Sequence, residues 1–314
     1  MRMTRWLSIV VAGVMGIGLL GGLHAEQRRG RPSGEQGGQA RQRVRGFVKE
    51  LDLSPEQKKE LAELLRGRGD DAREMVEEIR ERRDRLATAV TAEDPNPRII
   101  RRAARALAEV LTDRAVRLHE DVPEFRRILT DAQQDKIAER REQREERVDS
   151  FLERAERIVD AIESRPELAD RMRKGEVDAD RFPMAGRLRE RRQRRMERLG
   201  ITEDQREELR QIMVSHAGEI LEQIRELVDA HRDLRDEVLD DDASAGDVRR
   251  AGAGLGRALS NACVRLADLL TQVRPVLTEE QLDEAEEMRE ERREKRREMV
   301  DRWLEKLGSG SLVR

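Results

Sequence analysis

Hydrophobic residues recur every three to four positions over long stretches of this chain. One such stripe covers residues 61–90, and a second covers residues 209–238. This spacing places the apolar side chains on one face of an α-helix. A continuous helix from Ser54 to about Val90 would be roughly 55 Å long at 1.5 Å per residue. The pattern therefore predicts an all-α protein made of long antiparallel helical hairpins.

The apolar pattern also repeats at a fixed distance along the chain. Leu61 matches Leu209 and Leu107 matches Leu255, and the residue numbers differ by the same amount in both cases (209 − 61 and 255 − 107). We call this difference the repeat spacing. Further along, Val148 matches Val300, a match that is shifted by four from the repeat spacing, as one extra helical turn would explain. Such self-similarity predicts two tandem copies of one helical unit.

A short motif, Leu or Ile, then Ser or Thr, then Gln three residues later, occurs four times. In each copy the two motifs are separated by the same distance (129 − 53 and 277 − 201). The hydroxyl and the glutamine amide can form a capping box, so each motif is predicted to start a helix. Pro123 and Pro275 predict that the preceding helix bends or ends just before the second motif. The twelve motif positions are Leu53, Ser54, Gln57, Leu129, Thr130, Gln133, Ile201, Thr202, Gln205, Leu277, Thr278 and Gln281.

The chain begins with features of a secretory signal peptide. Arg2 and Arg5 precede an apolar run over residues 7–20, and Ala25 offers a small residue for cleavage. The run is too short to span a bilayer. We therefore expect export to the periplasm. Cleavage would move the formal net charge from −3 to −5, because Arg2 and Arg5 are lost.

Composition narrows the function further. Charged residues make up 42% of the chain with both signs nearly balanced, which argues against nucleic acid as a partner. The acidic residues alternate with arginines on helix faces, so no acid–base pair stands out. We expect no enzymatic activity and no cofactor. The chain has 4 Phe, 2 Trp and no Tyr, a composition that suits a thin helical molecule.

Three mature histidines and one cysteine need assessment as metal ligands. His216 and His231 lie 15 positions apart, roughly 22 Å along one helix, which is too far for a shared ion. We therefore predict no metal site, and His216 with neighbouring Met213 and Glu219 is the local exception to be tested. Cys263 lies among leucines at helical spacing, which favours a buried, inert thiol.

The paired Leu-Thr-x-x-Gln motifs on charged helices behind a signal peptide resemble the Spy/CpxP family of periplasmic stress chaperones. The resemblance covers most of residues 46–160 and 190–307. It implies a cradle-shaped helical fold that holds unfolding proteins without ATP, and a structural role for the motif. The chain departs from the family pattern in three respects. Ser54 replaces Thr, Ile201 replaces Leu, and the unit is duplicated, whereas a typical member has one copy and dimerises.

The predicted organisation follows from these patterns. We expect a signal peptide (1–25), a disordered leader (26–45), a first helical unit (46–160), a linker (161–188), a second unit (189–307) and a flexible tail (308–314). A covalent linker raises the effective concentration of the second unit, typically to about millimolar, which favours pairing within one chain. We therefore predict an intramolecular pseudo-dimer.

Three functions remain open at this point. The first is an ATP-independent holdase for unfolded or misfolded envelope proteins, the second an adaptor that restrains a membrane sensor, and the third a periplasmic heavy-metal sensor or binding protein. Basic groups beside flexible apolar side chains suit weak, promiscuous binding of clients. The alternative is that these long side chains merely cover a seam between helices. The candidate client-binding residues are Arg68, Met75, Arg83, Met213, His216 and His231.

Overall fold

The computed structural model describes residues 51–67, 69–164 and 196–308, and within these ranges it contains helices and no strand. The all-α fold class is therefore confirmed for this part of the chain. The predicted signal peptide, the leader, Arg68 and most of the linker lie outside the described residues. Residues 51–164 are called the first half below, and residues 196–308 the second half.

The two halves contain the same series of α-helices. In the first half these are α1 (Pro55–Gly67), α2 (Gly69–Thr91), α3 (Pro97–Ile128) and α4 (Asp131–Ser164). In the second half they are α5 (Glu203–Ser215), α6 (Ala217–Leu239), α7 (Ala245–Val273) and α8 (Glu279–Gly308), with a short 3-10 turn at Arg274–Val276. Each of α5 to α8 begins one repeat spacing after its counterpart, as Asp131 and Glu279 show. The four-residue shift in the match between Val148 and Val300 therefore arises inside α4 and α8, both of which are continuous helices.

Helices α3 and α7 form the centre of the molecule and make its most extensive contact. They meet at two glycines of α7. A Cβ atom built on Gly256 would lie 3.0 Å from the Ala108 side chain, and one built on Gly252 would lie 2.1 Å from the Thr112 hydroxyl. The absence of side chains at these positions allows the two helices to approach closely. Both helices contribute many residues to the main hydrophobic core.

The two halves are also linked at both ends of the central helix pair. The Arg126 guanidinium donates to the carbonyl of Leu239 at 2.6 Å, and the Arg274 guanidinium donates to the carbonyl of Thr91. Arg274 lies one repeat spacing after Arg126, and Leu239 lies one repeat spacing after Thr91. The contacts between the halves are therefore related by an approximate twofold symmetry.

The last helix of each half packs on the other half. Helix α4 starts beside α1 and then lies along α6, while α8 lies along α2. We call these contacts the α4–α6 seam and the α2–α8 seam. A cluster of buried apolar side chains fills the α4–α6 seam: Leu152, Ala155, Val159 and Leu221.

Two expectations about helix continuity differ from the structure. We call residues 203–239 the arm of the second half. The arm is not one helix, because His216 (φ −107°, ψ 10°) separates α5 from α6. Next to it, the Ser215 hydroxyl donates to the carbonyl of Ile212 at 2.8 Å, a local bond that competes with the helical backbone. Pro275 lies in the 3-10 turn that ends α7 as expected, whereas Pro123 lies inside α3, which continues to Ile128. None of the described helices combines the length and the apolar character needed to cross a membrane.

Candidate functional site

The four motifs cap helices and also bind each other in pairs. The Gln57 side-chain oxygen accepts from the Ser54 N–H at 2.9 Å, and the Gln57 N–H donates to the Ser54 hydroxyl at 3.1 Å. The Gln57 amide nitrogen donates to Gln133 Oε1 at 2.8 Å, and the Gln133 amide nitrogen donates back to Gln57 Oε1 at 3.1 Å. We call this reciprocal amide pair a glutamine clasp. It ties the first turn of α1 to the first turn of α4.

Each clasp amide uses its remaining proton as well. Gln57 Nε2 donates to the carbonyl of Ile128 at 2.7 Å, and Gln133 Nε2 donates to the carbonyl of Leu51 at 3.0 Å. The second half has the same arrangement between Gln205 and Gln281, with amide contacts of 2.8 and 3.0 Å. The clasp is a satisfied polar network near buried Leu53 and Ile201, which gives the motif a structural role.

Sequence reasoning found the caps but missed the clasp. The available signal was the distance along the chain from Gln57 to Gln133, which recurs unchanged from Gln205 to Gln281. Identical spacing in two copies indicates that the segment between the motifs returns the chain to the same place. The glutamine before this segment and the glutamine after it can therefore pair with each other, because an amide group both donates and accepts.

The candidate client-binding residues do not form one surface. Met75 is half-buried and packs against the main core, and Met213 is only 1% exposed within that core. Met213 therefore presents no surface to a client in this structure, because it fills the interior of the arm. Arg83 is half-buried, while Arg68 lies outside the described residues. Met75 and Met213 therefore contribute to helix packing in this structure, and a client-binding role of Arg68 and Arg83 stays a prediction.

The two histidines of the same set are also partly enclosed. His216 Nε2 lies 3.0 Å from Gln272 Oε1, and its Nδ1 lies 3.5 Å from a Glu219 carboxylate oxygen. Burial lowers the pKa of His231, and nearby Arg235 and Arg232 lower it further. His231 is therefore favoured as the neutral imidazole. The two rings belong to different positions along the arm and share no ligand site.

An open groove of about 690 Å³ lies between α2, the start of α3 and α8. Its apolar part includes Ala89 and Ile99, and Ile99 is 58% exposed although it is a large hydrophobic residue. Its polar part carries carboxylates and guanidinium groups along the outer face of α2. The Asp84–Arg297 ion pair, at 3.3 Å, connects α2 to α8 across the groove.

Charges of both signs line this groove. Besides the pair already described, Arg80 contacts Asp301 at 3.0 Å, and Arg85 contacts Glu81 within α2. The groove thus combines one exposed apolar side chain with charges of both signs. Sequence reasoning missed the groove because its lining combines α2 and Ile99 with Arg297, which is distant in sequence. The local signal was Ile99, an apolar residue two positions after the helix-starting Pro97 and outside the buried stripe.

Side chains that can bind metals are not clustered in the part of the chain that the structure describes. Within these residues, no group of three or more His, Cys, Asp and Glu side chains is arranged to hold a metal ion. His119 uses Nδ1–H to donate to the carbonyl of Val238 at 3.1 Å. Cys263 is fully buried, and burial raises the pKa of its thiol to about 12. A buried thiol of this kind is held in the unreactive protonated form.

Comparison with known proteins connects the first part of the chain to one family. Residues 7–136 match the model of a family described as heavy-metal resistance. This family is related to the helical periplasmic proteins of the Spy/CpxP type. No curated protein and no solved structure matches the chain. The matched region contains α1, α2, α3 and the first clasp.

Proposed function

We propose that this protein is an exported, ATP-independent chaperone that holds unfolded or misfolded envelope proteins and carries out no catalysis. The observation that carries the proposal is the groove on α2, where exposed Ile99 lies among charges of both signs. The relation of the matched family to Spy/CpxP-like proteins supports the same function.

The groove suits clients that share no sequence. An exposed aliphatic side chain can contact any apolar segment that an unfolding protein presents. Each ion pair that borders it has at least one exposed partner and is therefore weak, so it can exchange partners with charges on a client. Neither interaction needs a nucleotide. The expected result is a weak complex that forms quickly and delays aggregation.

An aggregation assay with one groove variant tests this proposal. Ile99→Asp removes the apolar contact and places an acidic residue in the first turn of α3, where the helix dipole favours it. We expect near-stoichiometric protein to suppress aggregation of several unrelated unfolded proteins, and Ile99→Asp to reduce this suppression about threefold or more, since about 1 kcal/mol changes an equilibrium roughly fivefold. The thermal unfolding midpoint should change by less than about 2 °C, because exposed substitutions have small effects.

Arg98→Asp is the matched control, since Arg98 is exposed in the same helical turn and does not line the groove. This variant should retain the suppression. Equal losses in both variants would assign the effect to charge at the start of α3 and exclude the groove. A wild-type chain that protects no client contradicts the proposal, and tight binding to one membrane sensor would then indicate the adaptor.

The family description favours metal binding as a second candidate function, because residues 7–136 match a heavy-metal resistance family. His216 Nδ1 lies 3.5 Å from a carboxylate oxygen of Glu219, and these two side chains could contribute to a metal site. Equilibrium dialysis against Cu²⁺ and Zn²⁺ separates the two functions. Stoichiometric uptake that His216→Ala abolishes would support a metal role, and no retained metal would leave the chaperone as the function.

A further inference from the structure

We infer that each half of this protein is built to bind the other half and to reject a copy of itself. The helices of the two halves start at equivalent positions, one repeat spacing apart, so pairing of like halves from two chains is the natural competitor. Two sets of differences between the halves discriminate against that competitor. One lies at the centre of the α3–α7 pair, and the other lies in the two outer seams.

The central difference is steric. Thr112 on α3 occupies the space above Gly252, where any Cβ atom would lie 2.1 Å from its hydroxyl. The position equivalent to Gly252 in the first half is Ala104, which is buried. In a pair of two first halves, this alanine would face Thr112 and its methyl group would collide with the threonine. The first half therefore accepts a second half more readily than another first half.

The same exchange of sizes occurs on the other side of the approximate twofold axis. The position equivalent to Thr112 is Ser260, a smaller residue that is also buried. Thr112, which has the larger side chain, thus lies opposite Gly252. Ser260, which has the smaller side chain, occupies the position equivalent to Thr112. Two second halves would combine Gly252 with Ser260 and leave space that no side chain fills. Unfilled space in a core costs packing contacts.

The difference in the outer seams is electrostatic. Asp149 on α4 binds Arg232 on α6 at 2.6 Å, while Arg297 on α8 binds Asp84 on α2 at 3.3 Å. Arg297 lies one repeat spacing after Asp149, and Arg232 lies one repeat spacing after Asp84. The two ion pairs therefore occupy equivalent places with their signs reversed.

Pairing of like halves would convert both attractions into repulsions. Two first halves would place Asp149 opposite Asp84, and two second halves would place Arg297 opposite Arg232. The reversed pairs therefore favour a first half against a second half in both seams.

Two neighbouring ion pairs refine this preference. Glu156 binds Arg225 at 2.5 Å, and the residue equivalent to Arg225 in the first half is Glu77, so two first halves would again bring like charges together. The Arg80–Asp301 pair does not discriminate, because a carboxylate, Glu153, would face Arg80 in two paired first halves. The reversed pairs thus decide the electrostatic preference.

A charge exchange in the full chain separates the strength of the seams from their selectivity. The open variant combines Asp84→Arg, Arg297→Asp and Thr112→Ser. It keeps an opposite-charge pair in each seam within the chain, yet it also gives opposite charges to paired like halves. Thr112→Ser removes the threonine methyl group, one of the three Thr112 atoms that would collide with Ala104. The closed variant adds Asp149→Arg and Arg232→Asp to the open variant. It restores the like-charge contacts in paired like halves and otherwise matches the open variant.

Sedimentation equilibrium over a wide range of protein concentration measures the result. We expect the open variant to form chain dimers with a dissociation constant at least about tenfold lower than that of the wild type, because several partly exposed pairs change sign and each contributes up to about fivefold. The closed variant should return to within about threefold of the wild-type value. Circular dichroism should give similar thermal midpoints for both variants, since the seams within the chain stay attractive.

Three outcomes would overturn the inference. The open variant could dimerise no more tightly than the wild type, including the case in which neither forms dimers. The open and closed variants could dimerise equally, which would assign the effect to Thr112→Ser alone. The open variant could fail to fold, which would mean that the seams do not accept either polarity.

Discussion

Thr112 fills a space on α7 that exists only because position 252 has no side chain. Its hydroxyl also donates to the carbonyl of Ala108, at 2.7 Å, which restricts its ability to move away. A methyl group at position 252 would meet three Thr112 atoms at 2.1 to 2.8 Å. This single residue pair therefore limits how closely the two halves can approach.

At the residue scale, Gly252→Ala should destabilise the protein. Overpacking in a core costs about 1–3 kcal/mol, whereas replacing a helical glycine by alanine gains up to about 1 kcal/mol. We expect a net loss of about 1–2 kcal/mol in the free energy of unfolding, measured by urea denaturation, and partial recovery when Thr112→Ser is added.

Gly254→Ala provides the control for this prediction. An added Cβ at Gly254 would meet the Arg257 guanidinium at 3.8 Å, which is an ordinary contact. This variant should be as stable as the wild type or more stable by up to about 1 kcal/mol. Equal effects of the two alanines would show that Thr112 does not restrict the contact between α3 and α7.

The first turns of α1 and α4 depend on each other through the glutamine clasp. Gln133 is a buried polar residue, and its amide contacts Gln57, the Thr130 N–H and the carbonyl of Leu51. A helix start on the surface needs only its own cap. Here each cap also satisfies the other helix start, so the two elements are expected to lose stability together.

At the element scale, Gln133→Leu should cost about 2–4 kcal/mol of unfolding free energy. The leucine has a similar size, but it removes the partner of the Leu51 carbonyl, the acceptor for the Thr130 N–H and both amide bonds to Gln57, and each group left unsatisfied in a buried position costs about 1–3 kcal/mol. Urea denaturation of Gln57→Leu, Gln133→Leu and the double variant gives the coupling. The double variant should lose clearly less than the sum of the single losses.

Gln143→Leu is the control on the same helix, because Gln143 is exposed and its side-chain amide donates to Glu139 at 3.1 Å. It should change the unfolding free energy by less than about 0.5 kcal/mol. Additive losses in the double clasp variant would mean that the two amides stabilise their helices independently.

The whole molecule is held together by contacts between its halves. Helices α3 and α7 pair at the centre, and α4 and α8 each pack on the opposite half. Each half thus packs on a partner with the same series of helices within one chain. The arrangement supports the prediction of an intramolecular pseudo-dimer.

At the scale of the whole molecule, we expect light scattering to give the mass of one chain at micromolar concentration. A linker of the kind predicted for residues 161–188 would supply an effective concentration of about millimolar, so pairing within the chain should exceed pairing between chains. The competing picture is two independent units that each dimerise with another molecule. A mass that rises with concentration from one chain to two would support that picture and contradict the pseudo-dimer.

Local chemistry in the sequence was sufficient to predict where four of the helices begin and which faces are buried. The four motifs stand directly before α1, α4, α5 and α8, because a capping box is made by residues three positions apart. The 3.6-residue period identified the buried faces, including those of Leu86 and Leu234. The repeat spacing likewise anticipated that the helix starts of the first half have counterparts in the second half.

Only the tertiary structure decided which helices pack together. Side chains that are distant in sequence determine three features. These are the packing of α4 and α8 on the opposite half, the groove beside Ile99, and the reversed ion pairs that involve Asp84 and Asp149. An amphipathic period shows that a face is buried, but any apolar face can cover it. The sequence predicts a client-binding role for Met213 because it is a flexible apolar side chain near His216, whereas the fold places it in the core. The choice of partner comes from shape and charge complementarity, which exist only once the helices are assembled.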